Sequence, residues 1–417
     1  MNKLLIVIFF VFSVFSFSQD LSYARYVINE LSSPSMRGRG YAGKGDHKAE
    51  KFIRGEFKKY DVKPFKNDYL QTLSLSINTF PHKIHLRINN EELQPGKDYL
   101  VSSSSPAIKG TFNVVWLLND SLFDKEKDKR FEDMDLSDKF IITDKYHKEL
   151  KKENLFGSKG VIILKGEDEK LWWHVSNGNK VLGFVALDVK KGKISPEVKQ
   201  VNLNIRNKFI KEYKTSNVIG YVKGKTEPDT FIVFTAHYDH LGMMGKRSYF
   251  PGANDNASGT AMVMNIARYF SNPENQPDYS VAFMLFAGEE AGLYGSRYYV
   301  DHPLFPLSNI RFLINLDMVG TGSDGITIVN GKIFKREFDR MCKINEKNGY
   351  LNEIKERGEA CNSDHCPFYK KDIPAVFIYT RGKEYSEYHT INDVAKDLPL
   401  TEYKDLFLLL VDFVESF

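Results

Sequence analysis

Apolar positions along this chain change their spacing twice. Between about residues 20 and 70 they recur every three or four positions, as in "YARYVINEL" and "KAEKFIRGEFKKY", the spacing that gives a helix one apolar face. From about 72 to 210 they gather into short runs, "HKIHLRI", "FNVVWLL", "KFIITD", "GVIILK", "GFVALDV" and "QVNLNI", separated by charge-dense stretches such as "DKEKDKRFEDMD". Short apolar runs bounded by polar loops predict a separate small β-rich domain whose charged loops are solvated surface. Beyond about residue 215, longer runs ("NVIGYV", "TFIVFTAH", "SVAFMLFAG", "RFLINLDMVG", "ITIVNG", "AVFIYT") alternate with helical segments and end in "LTEYKDLFLLLVDFVESF". Strands buried on both faces read as unbroken apolar runs, so this part predicts an α/β fold with a mostly parallel central sheet flanked by helices.

In such sheets ligands collect at the carboxyl ends of the strands. There the polar residues concentrate. "TFIVFTA" ends in His237, Tyr238, Asp239 and His240, "SVAFMLFAG" ends in Glu289 and Glu290, and "RFLINL" ends in Asp317. "PGANDNASG" places Asp255 between two asparagines just before a helix, and "EYHTIND" places His389 beyond "AVFIYT". Each residue alone has a plainer reading: a hydrogen-bonded histidine, solvated glutamates, an aspartate capping a helix. Together they differ. Carboxylates and histidines brought to one sheet edge would repel and desolvate one another unless a cation held them, and histidine with carboxylate suits zinc.

Composition narrows the class. The 417 residues are 42% hydrophobic and 13% aromatic, enough for a large core and two domains, which excludes a disordered or fibrous chain. Lys and Arg number 58 against 54 Asp and Glu, and the basic residues are interspersed with acidic ones, which gives no case for nucleic acid. "MNKLLIVIFFVFSVFSFSQD" reads as a signal peptide over residues 1–18, with an apolar run too short for a good membrane anchor, so a secreted or periplasmic protein is expected. Of three cysteines, Cys361 and Cys366 are close enough in "CNSDHCPF" to close a small loop, and three unpaired thiols are the other reading.

The set "HYDHLG", "GANDNASG", "AGEEAGLYGS", "NLDMVG", "SDHCPF" and "YHTINDV" resembles the M28 family of zinc aminopeptidases, in the family's order and spacing. "SSPSMRGRGYAGKG" resembles its N-terminal signature, and residues 72–210, through "DKFIITD" and "FGSKGVIILK", resemble the protease-associated domain some members carry as an insert. The resemblance implies a zinc-exopeptidase, phosphorylase/hydrolase-like fold, with residues 19–71 and 211–417 forming the catalytic domain around that insert. It implies two zinc ions bridged by Asp255, one also held by His237 and Asp317, the other by Glu290 and His389. Glu289 takes the place of the general base, Asp239 that of a residue orienting His237, and Tyr388 that of a helper to the oxyanion. Asp364 and His365 match a motif near the site without an assigned role, and His240 lies outside the ligand pattern. The expected substrates are peptides with a free N-terminus. Within the same fold the alternatives are a glutaminyl cyclase or a carboxypeptidase, and outside catalysis a receptor-like module.

Overall fold

The computed structural model describes residues 21–118, 134–145, 148–175 and 180–417. The expected signal peptide and most of "DKEKDKRFEDMD" lie outside the described residues. The strands, in chain order, are β1 (Leu70–Thr79), β2 (His85–Ile88), β3 (Glu91–Glu92), β4 (Tyr99–Val101), β5 (Ile108–Leu117), β6 (Phe140–Thr143), β7 (Gly160–Lys165), β8 (Val185–Lys190), β9 (Gln200–Ile205), β10 (Lys208–Val222), β11 (Glu227–His237), β12 (Gly242–Met244), β13 (Ser248–Phe250), β14 (Tyr279–Phe286), β15 (Ile310–Leu316), β16 (Ile326–Val329), β17 (Ile354–Glu356) and β18 (Ala375–Thr380). The helices are α1 (Leu21–Leu31), α2 (Gly45–Lys59), α3 (Gly259–Ser271), α4 (Tyr294–Asp301), α5 (Lys335–Asn348), α6 (His365–Tyr369) and α7 (Tyr403–Glu415).

One eight-stranded sheet runs β1-β10-β14-β11-β15-β18-β16-β17. It is mixed. Its centre, β14-β11-β15-β18, is parallel, while β10 and β16 join it antiparallel and β1 pairs antiparallel with β10. Alternate residues of the central strands enter different cores, which is why their sequences read as unbroken apolar runs. Ile232, Phe234 and Ala236 of β11 pack on one face with Val281, Phe283 and Leu285 of β14, under residues of α1, α2, α3, α5 and α7. Phe231 and Val233, with Ala282, Met284 and Phe286, face the other way toward Tyr299 of α4 and Phe368 of α6.

A second eight-stranded sheet, β3-β2-β9-β5-β6-β7-β8-β4, draws its strands from residues 85–205. The sequence boundaries at 72 and 210 therefore need correcting, because both fall inside β1 and β10. Those two strands pair with each other from Leu70↔Val218 to Thr79↔Lys208 and belong to the first sheet. An apolar run cannot reveal which sheet its strand joins, since that is decided by long-range pairing. The insert packs directly on the rest of the fold: its core residues Leu86, Leu100 and Trp173 share a cluster with Leu75, Tyr213, Leu241, Met244 and Phe250. Among the described residues no helix is long and apolar enough to cross a membrane.

Candidate metal centre

Because the four central strands are parallel, their carboxyl ends share one edge. His237 is the last residue of β11, Glu289 and Glu290 follow β14, Asp317 follows β15, and His389 lies in the connection beyond β18. Asp255 arrives from the tight turn that leads into α3. Gly252 has φ +61, and a Cβ there would strike the carbonyl of Asp255 and the ring of His240, so glycine is required on both counts. Asn256 performs the capping: its Oδ1 accepts from Gly259 N at 2.9 Å, while its Nδ2 reaches across to Leu316 O at 2.9 Å. Asn254 Oδ1 likewise accepts from Gly320 N at 2.9 Å. The amides thus tie the turn to the connection after β15 as well as to itself, and the carboxylate of Asp255 is left free to face the site.

All five expected ligands converge. Asp255 Oδ1 lies 3.3 Å from His237 Nε2, which is also 3.4 Å from Asp317 Oδ1. Asp255 Oδ2 lies 3.0 Å from His389 Nε2, which is also 3.2 Å from Glu290 Oε2. Two histidine–carboxylate pairs are therefore joined by the two oxygens of one aspartate. Ligand atoms of His237, Asp255 and Glu290 also fall within 4.8 Å of one another.

Charge explains why such a cluster calls for cations. Burial alone would raise the carboxylates, yet hydrogen bonds from His237 and His389 hold Asp255 well below its ordinary value. His389 and His240 likewise hold Glu290 at about 2 against its burial and Asp255. Reciprocally, Glu290 and Asp255 raise His389 to about 11 despite burial, and Asp317 and Glu289 raise His237 well above its usual range. Without metal, protons held on the two histidines offset part of the carboxylates' charge. Nitrogen and oxygen donors of this kind are a set that suits zinc, whose binding would displace those protons.

Around the ligands lies a supporting shell. His237 Nδ1 bonds the backbone carbonyl of Asp239 at 3.1 Å, whereas the Asp239 carboxylate stands off at 3.8 Å. That carboxylate instead accepts from Glu289 N at 3.1 Å and Tyr41 Oη at 2.9 Å, so Asp239 orients the backbone before Glu290 as much as it orients the imidazole. Burial raises Asp239 to about 7. Glu289 is pushed well above its ordinary value by burial and by Asp364, Glu290 and Asp317. Tyr388 lies in the cavity wall with its ring stacked on His389, centroids 3.9 Å apart. The cavity, about 240 Å³, is also lined by Met318, Arg357, Asn362, Phe377 and Tyr379.

Several residues of the quoted motifs have no role assigned from sequence and acquire one here. Arg39, fully buried, donates five hydrogen bonds to the carbonyls of Leu31, Tyr238, Pro251, Gly252 and Asp255, which accounts for the second arginine in "MRGRG". Asp393 accepts from Asn254 N and Asp255 N at 2.9 and 3.1 Å. "SDHCPF" supplies Ser363, whose Oγ donates to Asp317 Oδ2 at 2.8 Å, and Asp364, raised to about 6 mainly by burial and held by Ser296 at 2.5 Å. His365 bonds Ala360 O at 2.8 Å, away from the ligands. His240 lies 2.6 Å from Glu290 Oε1 and holds that carboxylate from behind. Cys361 and Cys366 are joined in a disulfide, and Cys342 is free on α5.

Residues 217–414 match the family model described as Peptidase family M28. The chain carries an M28 peptidase domain. Aminopeptidase YwaD of Bacillus subtilis (strain 168) is 30% identical over 263 residues, 60% of this chain and 54% of that protein. The chain thus spans about half the length of that relative, and smaller shares of the other curated relatives it matches first. The solved structure of BSAP, a zinc aminopeptidase from Bacillus subtilis, aligns with a TM-score of 0.71 at 23% identity and 95% coverage of each chain. That of a Bacteroides thetaiotaomicron glutaminyl cyclase bound to N-acetylhistamine aligns with a TM-score of 0.52 at 14% identity, covering 96% of this chain and 99% of that one. At these identities both structures show a shared fold. In M28 terms, the matched span contains every expected ligand but not Arg39, Tyr41 or the insert.

Proposed function

We propose that the chain is a secreted di-zinc aminopeptidase that removes N-terminal residues from peptides. One observation carries the reading: Asp255 offers separate oxygens to two histidine–carboxylate pairs, with Glu289 lining the same cavity. His237 and Asp317 would hold one zinc with Asp255, and Glu290 and His389 the other. When bound, the metal supplies Lewis acidity that lowers the pKa of water and polarises the scissile carbonyl.

Glu289 supplies the proton transfers. Its carboxylate takes a proton from water as the water oxygen bonds to the carbonyl carbon. It then returns that proton to the amine nitrogen as the C–N bond breaks. Asp239 places Glu289 through the backbone N–H, and the Tyr388 phenol donates toward the oxyanion from the cavity wall. A cavity of about 240 Å³ has room for one residue side chain. The names of aminopeptidase YwaD and BSAP support aminopeptidase chemistry, and the apolar stretch after Lys3 supports export.

The test is hydrolysis of one short peptide, free and N-acetylated, before chelation, after chelation and after zinc return. Cleavage of the free form alone, lost and regained with zinc, is expected. Cleavage of both forms refutes the exopeptidase assignment. Zinc binding without any cleavage refutes peptidase activity and makes cyclisation of N-terminal glutamine the reaction to assay.

A further inference from the structure

A segment of the insert reaches the connection that carries His389. Lys170 Nζ donates to the carbonyl and hydroxyl of Ser386 at 2.8 and 2.9 Å and pairs with Glu387 Oε1 at 2.9 Å. Trp173 N donates to the carbonyl of His389 at 3.1 Å. Trp172 meets the ring of Tyr388 edge-on, centroids 6.0 Å apart. His174 Nδ1 lies 3.1 Å from His389 Nδ1. His389 has φ +53, a left-handed conformation that a residue with a side chain holds only when its surroundings impose it. The insert supplies much of that imposition.

The pairing of the two imidazoles has a chemical direction. If His389 Nε2, facing Asp255 and Glu290, holds a cation, it has no proton, and the ring's remaining proton sits on Nδ1. A ligating histidine commonly donates that proton to a carboxylate, a carbonyl or water, and the donation fixes its tautomer and ring angle. Among the described residues the hydrogen-bond partner of His389 Nδ1 is a nitrogen of another imidazole, His174. In that arrangement His174 would accept through its Nδ1 lone pair and keep its own proton on Nε2.

We propose that His174 is a positioning residue for the metal centre, accepting the Nδ1 proton of His389, so that the insert completes the centre rather than only packing beside it. The inference rests on the reading of His389 as a zinc ligand. It does not require any particular reaction.

The experiment is zinc titration of the full chain against a chelator of known affinity, with wild type, His174→Ala and His174→Asn. Asparagine is the conservative variant because its Oδ1, like imidazole Nδ1, is attached to Cγ and accepts a hydrogen bond. His174→Ala is expected to weaken one of the bound zinc ions about 10- to 100-fold, and His174→Asn to recover most of that loss. Thermal unfolding of the chelated proteins provides the check on folding, with all three expected to agree. Wild-type affinity in His174→Ala overturns the proposal, as does an asparagine variant no better than alanine, which would leave packing as the explanation. Because the readout is metal affinity, a chain that behaves as expected here yet cleaves no peptide overturns the aminopeptidase reading alone. A wild-type chain that binds no zinc overturns both.

Discussion

Arg39→Lys tests how the turn that presents Asp255 is held. Burial lowers the Arg39 guanidinium to about 10, opposed by Asp255, Asp393, Asp239 and Glu290, so it stays charged at neutral pH. Lysine keeps that charge. Geometry is what it loses, since five hydrogen bonds to five carbonyls become at most three from a single nitrogen. At least two buried carbonyls then lose this donor, and because Gly252 O alone keeps another, from Ala257 N at 3.2 Å, at least one is left without any, at a cost of about 1–3 kcal/mol. Against a typical domain stability of about 5–15 kcal/mol, that is a large loss short of certain unfolding. Urea unfolding of the chelated protein reads the backbone effect free of metal linkage, and zinc titration reads the displacement of Asp255. A midpoint change worth under about 0.5 kcal/mol, a typical surface-mutation effect, with unchanged zinc affinity, would refute the claim that this arginine organises the turn.

Four further outcomes are expected. Glu289→Gln should retain zinc while turnover falls about 10²- to 10⁴-fold, and a variant with wild-type turnover removes Glu289 as the base. Asp255→Asn should lose zinc affinity at both positions, because one bridging charge serves both, and an unchanged stoichiometry and affinity by metal analysis would remove the bridge. Tyr388→Phe should lower kcat about 10²-fold or more, if the phenol donates to the oxyanion, with KM little changed; an unaltered kcat returns the tyrosine to packing. Zinc uptake near pH 7 should release about two protons, from His237 and His389, read by calorimetry in buffers of differing ionisation enthalpy, and release of none refutes the charge assignment. The sign is fixed by His389, raised to about 11 in the metal-free fold from 6.5. Its protonated form contributes stability fully below the unfolded value and loses it as pH rises through the folded one, so zinc competes better with rising pH over that window.

The strands of the first sheet were legible because burial on both faces leaves an unbroken apolar run, as in "TFIVFTA" and "SVAFMLF". The residues of the candidate cluster were legible because parallel strands put their carboxyl ends on one edge, where polar residues stand out against the runs before them. Domain limits were not, since β1 looks like any other short strand until it pairs with β10 across the whole insert. Supporting residues were equally hidden. Arg39 and Asp393 act through bonds to backbone atoms more than a hundred residues away, and no periodicity encodes such a bond. His174 belongs to a stretch that carries none of the quoted motifs, and its neighbours Leu171 and Trp173 are buried in the insert's core. Asp239 was legible as a member of the site, but its acceptance from Glu289 N depends on where a different strand ends.

The five candidate donors come from the end of β11 and from four later connections, the last lying beyond β18. That spacing sets a schedule for the chain's synthesis. When His237 has been made, 152 residues must still follow before His389 exists, and parallel pairing must bring them back across the sheet. Contacts of such long separation are closed late, because their loop entropy is opposed before any contact rewards it. An unfinished or unfolded chain therefore lacks the assembled cluster, and the proposed hydrolytic potential of the sequence stays latent until the last strand of the parallel core is in position.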